Sequence, residues 1–319
     1  MSEEVSNEVE KFLKYMQGRK ATERTIGNYR DFLTSFFIYA KVNNKEDILN
    51  LTRENVTDYL NYVVNDKGLE VSTRNTYLIP IKRIFVYYKD ELKKNIDESI
   101  LSIDNIKPPV KEEIWLDDVE VYQLKQTVTH VRSKAIICLF FNTGIRVSEL
   151  VEIRLSDMTR YEDDNGSHYY EIIIHGKGKK ERYVYTDDET TEAIDKYMAK
   201  RRVAVKERTH TDNDYLFLSN QGNKMDRHNL AKMIKNWTRK INCRNADKMS
   251  PHKLRHTYCT HMLNKRIIEK DENGNDVDKG LANDIKTVSV SMGHSNLATT
   301  SRYAHTDKGK INNMQRGGY

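Results

Sequence analysis

The sequence predicts a mainly α protein with a small antiparallel β-sheet, divided into two domains. Apolar residues recur at three- and four-residue intervals along most of the chain, the spacing of helices with one buried face. One stretch breaks this rhythm with short strand-like runs joined by Asn-Gly and Gly-Lys-Gly turns. The 319 residues are long for one domain and comfortable for two, and a proline-bearing segment with little periodicity lies between two patterned stretches.

The first domain spans residues 1–95 and is helical. Val5, Val9, Phe12, Leu13 and Met16 fall on one helical face. A second run follows Thr22, with Ile26, Tyr29, Leu33, Phe36 and Phe37. A third starts near Thr52, a suitable cap, with Val56, Leu60 and Val63 on one side. A fourth follows Ser72, which with Asn75 makes a partial capping box, and carries Tyr77, Ile81, Ile84, Phe85 and Tyr88. Pro80 inside it should kink or divide it. Residues 96–114, with Pro108-Pro109, are expected to be a linker.

The second domain, residues 115–319, opens with a helix after Asp117. An Ile- and Phe-rich helix (135–141) leads into Asn142-Thr143-Gly144-Ile145-Arg146. Three strands follow. Asn165-Gly166 marks a hairpin turn, 169–175 is strand-like, and Gly176-Lys177-Gly178 turns the chain into a return strand over 182–185. Everything after Glu189 is expected to be helical, apart from a hairpin or loop around Asn273-Gly274.

Charge and composition narrow the partner. The net charge is +6, with the excess lying after the linker, which favours a polyanion without requiring one. Cys138, Cys243 and Cys259 have no metal spacing, and their odd number fits a reducing compartment. The acidic, amphipathic N-terminus is no signal peptide, and no run of about 18 apolar residues occurs. These features place the protein in the cytoplasm with no membrane partner.

Four short segments could carry chemistry. Ser250-Pro251 should start a helix, and His252 and Arg255 then share a face at its positive end, a place for a phosphate. A merely basic first turn is the plain alternative. Arg146 precedes another helical start, where a guanidinium can grip phosphate in a fork; pairing with Glu149 or Glu152 is the alternative, and both can hold at once. Lys177 sits between two glycines that allow a backbone phosphate to approach, although solvated lysines on a hairpin tip are common. Gly293-His294 precedes Tyr303 by nine residues, and taken alone Tyr303 is one of 19 tyrosines.

Together these segments resemble the tyrosine recombinase (phage integrase, Xer-type) family. The matching pieces are Thr143-Gly144-Ile145-Arg146-Val147-Ser148-Glu149-Leu150, Gly176-Lys177-Gly178, His252-Lys253-Leu254-Arg255-His256-Thr257, and Gly293-His294 with Tyr303. The helical N-terminal part matches that family's core-binding (SAM-like) domain in length, position and helicity. Two features depart from the pattern: a polar insertion near 269–280, and Val290-Ser291-Met292 where a leucine pair is usual. The insertion superficially suggests a calcium loop, but its glycine is misplaced for one.

The resemblance implies a site-specific DNA recombinase that works through a 3′-phosphotyrosyl intermediate, without cofactor, metal or ATP. Tyr303 would be the nucleophile. Arg146, Arg255 and His294 would hold the scissile phosphate, His252 would assist proton transfer, Lys177 would protonate the leaving oxygen, and Glu149 would orient Arg146. The expected partner is a double-stranded recombination site, bound by a homotetramer across two sites. Phosphate contacts are expected from Arg74, Lys82 and Arg83 in the first domain and from Lys179, Arg227, Lys232, Lys235 and Arg239 in the second. The tail 304–319 would pack on a neighbour. The rival readings are a DNA-binding protein that does not cut, a type IB topoisomerase, and a metal nuclease using His256 and His261; the last lacks a Cys or carboxylate partner in the sequence.

Overall fold

A computed structural model describes residues 1–109, 113–176, 180–208, 213–270, 276–281 and 283–293. It divides into two compact units, residues 1–111 and 112–319.

The first unit is all helical: α1 (Glu3–Gly18), α2 (Glu23–Tyr39), α3 (Lys45–Leu49), α4 (Arg53–Asn65) and α5 (Val71–Val86). The helix starts follow side-chain chemistry. Ser2 and Thr22 cap α1 and α2, and Thr52 caps α4 in a box with Asn55. The short α3, which periodicity does not reveal, is held by a reciprocal box between Asn44 and Asp47. Val5, Val9, Phe12, Leu13, Leu33, Phe36, Val56, Leu60, Ile81 and Phe85 form one buried core.

In α5 the expected capping box does not form, and of the two effects expected of Pro80 the division does not occur. The helix begins after Glu70, so Ser72 lies inside it, and no Ser72–Asn75 box forms. Asn75 is engaged elsewhere: its amide donates to Ile106 O (2.7 Å) and accepts from Ile106 N (3.0 Å). Pro80 neither divides nor ends α5, which runs on to Val86 and then loosens into a π-helical turn over Tyr87–Glu91. Burial of Leu78, Pro80, Ile81, Ile84 and Phe85 offsets the roughly 3 kcal/mol that an interior proline costs.

The segment expected to be a linker is tied to this unit over its first part. Ile96, Ile100 and Ile103 enter the core, Ile100 from within a 3₁₀ turn at Glu98–Ser102 and the other two from either side of it. Arg74 secures the same stretch. It is 6% exposed, and its Nη1 donates to Asp104 O at 2.8 Å. Arg74 therefore does not line a surface groove, contrary to expectation. Lys82 is half-buried and Arg83 exposed on the same helix.

The second unit contains α6 (Asp118–Thr127), α7 (Val131–Thr143), α8 (Val147–Leu150), α9 (Asp188–Arg208), α10 (Arg227–Lys240), α11 (Pro251–Asn264) and α12 (Ile285–Ser291). Strands β1 (Met158–Glu162), β2 (His168–His175) and β3 (Glu181–Tyr185) form an antiparallel sheet in the order β1-β2-β3. Ile172, Ile174 and Val184 of the sheet join Leu139, Phe140, Ile194, Leu216 and Leu254 in the core. All three cysteines are free and buried there or beside it.

The Asn165-Gly166 turn forms, but as a wider loop. Gly166 has φ +79° and its N–H meets Asp163 O, while the Asp163 carboxylate accepts from the N–H groups of Asn165 and Ser167. This arrangement needs one left-handed residue, where the type I′ turn that Asn-Gly favours would need two. The region after Glu189 is not helical throughout. Arg266–Lys270 (β4) pairs antiparallel with Asp276–Leu281 (β5), so the polar insertion is a β-hairpin whose tip, with Asn273-Gly274, lies outside the described residues.

Candidate active site

The site starts at the C-terminal end of α7. Gly144 closes that helix in the left-handed conformation (φ +58°) and donates to Phe140 O. A Cβ at Gly144 would stand 2.2 Å from the Tyr258 ring and 2.8 Å from Met292 Sδ, so only glycine fits here. Two residues on, Arg146 occupies the N-cap position of α8.

Arg146 is held from both sides. Its N–H meets Glu149 Oε2 (3.0 Å), its Nη1 meets Glu149 Oε1 (2.7 Å), and its Nη2 donates to Gly293 O (3.1 Å). Arg255 lies on the first turns of α11, which Ser250 caps and Pro251 opens. Its Nη1 donates to Gly144 O and its Nη2 to Met292 O, both at 2.6 Å. The two arginines thus tie together the same two segments, 144–146 and 292–293. Their exposure differs: the Arg146 side chain is 38% accessible, whereas Arg255 is 4% accessible. One guanidinium faces outward while the other braces the floor.

Glu149 is the hinge of this network. Burial alone would raise its pKa. Hydrogen bonds from Arg182 (2.8 and 3.1 Å) and from Arg146 outweigh burial and hold it down at about 2. Arg182 is a residue that sequence reasoning missed. Strand alternation offered the signal, since Arg182 shares the inward face of β3 with buried Val184. A charge on an inward strand face needs a buried partner. Arg182 also packs against Gly293, where a Cβ would approach its side chain to 3.3 Å.

His252 lies in the first turn of the helix that carries Arg255, partly packed against its neighbours and partly open to solvent. Its pKa lies below the ordinary imidazole value, because its surroundings desolvate the ring and Lys253, Arg255 and Arg146 repel an added proton. His256 and His261 do not form a metal pair. His256 Nε2 meets Glu113 at 2.6 Å, and His261 engages Leu116 O and Asp118. Glu113 also reaches Lys253 at 3.4 Å, and sequence reasoning missed it too. Among the described residues no group of three or more His, Cys, Asp or Glu could hold a metal.

Lys177 and Lys179, which fall between β2 and β3 in the sequence, lie outside the described residues, as do His294, Tyr303 and the tail 304–319. The hairpin stem is defined to the pair His175–Glu181, with Gly176 N donating to Lys180 O. Gly293 immediately precedes His294, and its carbonyl already meets Arg146. The expected phosphate contacts on α10 divide. Lys232, Lys235 and Arg239 fall within roughly 60° of one another around the helix, with Arg227 apart at its start. Arg239 is committed to Asp247 through two hydrogen bonds (2.6 and 3.0 Å), which is the solvated ion-pair alternative.

The fold is shared with solved recombinase structures. The Tn1549 transposon integrase in complex with transposon right end DNA superposes with a TM-score of 0.70 at 15% identity, covering 98% of this chain and 99% of that one. XerH site-specific recombinase bound to its difH substrate gives 0.69 at 22% identity, covering 98% and 84%. In sequence, the tyrosine recombinase XerD of Staphylococcus haemolyticus (strain JCSC1435) is 28% identical over 96% of both chains. Tyrosine recombinase XerC of Thermodesulfovibrio yellowstonii is 27% identical over 93% of this chain and 90% of that one. Residues 9–98 match the family model described as phage integrase, N-terminal SAM-like domain, and residues 115–270 match the phage integrase family itself. With both parts of the chain matched in order, this chain belongs to the tyrosine recombinase family of phage integrases.

Proposed function

We propose that this site-specific DNA recombinase breaks and rejoins duplex DNA through a covalent 3′-phosphotyrosyl bond to Tyr303. The observation that supports this reading most is the joining of Arg146 and Arg255 through Gly144, Met292 and Gly293, with His252 beside them. Two fixed guanidiniums match the charge and the shape of a phosphodiester.

In the first step the Tyr303 oxygen attacks phosphorus, and the P–O bond to the 5′ oxygen breaks. A phenol with a pKa of about 10 is a weak nucleophile at neutral pH, so a base must take its proton. His252 does this, and its lowered pKa keeps it in the neutral, accepting form. Lys177 gives its proton to the departing 5′ oxygen. Arg146, Arg255 and His294 balance the charge on the pentacoordinate phosphorus. Glu149, itself clamped by Arg182, fixes the Arg146 fork.

Rejoining reverses these steps with a 5′ hydroxyl from another strand. The phosphotyrosyl ester retains the phosphodiester's energy, so no ATP is consumed; the arginines, Lys177 and the histidines do the electrostatic work, and a chelator leaves the rate unchanged. Four copies act together on two sites in the cytoplasm, with surface cations such as Lys232 and Lys235 on phosphates. The test is a nicked suicide substrate that traps the adduct. Wild-type protein accumulates a covalent complex, and Tyr303→Phe forms none while binding the same duplex. A variant that still forms the adduct overturns the assignment.

A further inference from the structure

The opposite end of α7 carries a second cationic site that the recombination chemistry does not use. Helix α7 has 13 residues, so its first turn lies roughly 18 Å from Gly144 and the arginines beside it. A cavity of about 180 Å³ opens there, walled by Val131, Tyr197 and Leu218. That space exceeds what one water needs and admits a polyatomic ion.

The cavity's polar groups are cationic. Arg132, Lys200 and His130 line it. Arg132 is half-buried; its Nη1 donates to Leu218 O at 2.6 Å, and its buried Nε has no hydrogen-bond partner among the described residues. Among the described residues none of these three cations forms a salt bridge. Desolvation, then the charges of Arg132 and Lys200, pulls the His130 pKa down, so the three groups act on one another. The neighbouring Arg201 is different. Its Nε and Nη2 are held by the carbonyls of Asn213, Tyr215 and Leu216, and it serves as wall. Asp226, an acid lining the adjoining cavity, is occupied in capping α10. No side chain caps the start of α7, so its first-turn N–H groups add positive potential.

A partly desolvated guanidinium lining a cavity with no acid among the described residues paired to it is costly unless an anion balances its charge. We propose that this cavity binds a phosphate group, held by Arg132, Lys200 and the first turn of α7. The phosphate comes either from the DNA backbone or from a free phosphorylated small molecule.

The Arg132 Nε–H resonance, identified by its absence in Arg132→Gln, reports directly on the site. Inorganic phosphate titrated at constant ionic strength should shift it saturably, and Lys200→Gln should weaken that response at least fivefold. Lys200 is exposed, so Lys200→Gln, compared with wild type by calorimetric titration of inorganic phosphate, tests the site even if Arg132→Gln does not fold. A shift with stoichiometric duplex as well identifies a backbone phosphate; a shift with free phosphate alone identifies a small ligand. A resonance that moves with neither, or that responds equally to chloride, overturns the proposal. Tyr303 cleavage is measured separately and does not depend on the result.

Discussion

Arg74 in the first unit and Arg255 in the second are both nearly inaccessible, and both donate to backbone carbonyls. Yet they do different work. Arg74 staples one chain segment, through Asp104 O, to the helix that carries it. Arg255 joins two segments distant in sequence, and those segments also hold a second, more exposed arginine. A buried arginine is thus no evidence of a site by itself. Convergence on a second cation, with a solvent-facing guanidinium and a histidine alongside, is what separates the two.

Substitution of both arginines gives the widest contrast. Arg255→Ala should slow single-turnover cleavage by at least about 10²–10³, the loss typical of one donor to a developing charge. Arg74→Ala should leave cleavage by the folded protein unchanged and lower unfolding stability by about 1–3 kcal/mol in urea melts. Equal catalytic losses would erase the distinction.

Next in size is Glu149. Its folded pKa, about 2, lies below the ordinary carboxylate value of 4.5. The stabilisation is therefore complete above about pH 4.5 and is lost as pH falls through about 2, to an extent on the order of 3 kcal/mol. Acid unfolding of wild type followed by circular dichroism should show this slope, and Glu149→Gln should flatten it across that window.

Gly144→Ala should cost about 1–3 kcal/mol, since it forces a side chain into a left-handed position against Tyr258. Cleavage should fall with it, because the Gly144 carbonyl seats Arg255. Smallest of all is the surface of α10. Lys235→Ala should reduce the slope of log affinity against log salt by about 0.9, the value for one released phosphate contact. Arg239→Ala should leave the slope unchanged, because Asp247 already holds that guanidinium. A reversed order would exchange their roles.

Much of this arrangement was legible in the sequence, and the reasons are local. Ser250-Pro251 announces a helix start, Asp117 and Thr52 announce others, and Gly144 ends α7 where a left-handed residue was needed. Glu149 was a fair guess for Arg146 because three residues separate them at a helix start. What escaped depends on distance along the chain. Asn75 abandoned its cap for Ile106, and Arg74 turned inward to Asp104, for reasons thirty residues away. Arg182 meets Glu149 across 33 residues, and Glu113 meets His256 across 143. Pro80 was overruled by packing that the local pattern does not contain.

The central claim is that one phenol displaces a 5′ alcohol at a phosphate held by Arg146 and Arg255. Digesting the trapped protein–DNA adduct and sequencing the modified peptide by mass spectrometry tests it most directly. The account predicts a single modified residue, Tyr303, joined to a DNA 3′ phosphate. A modified Tyr258 or Tyr319, or a linkage to the 5′ end, would contradict it.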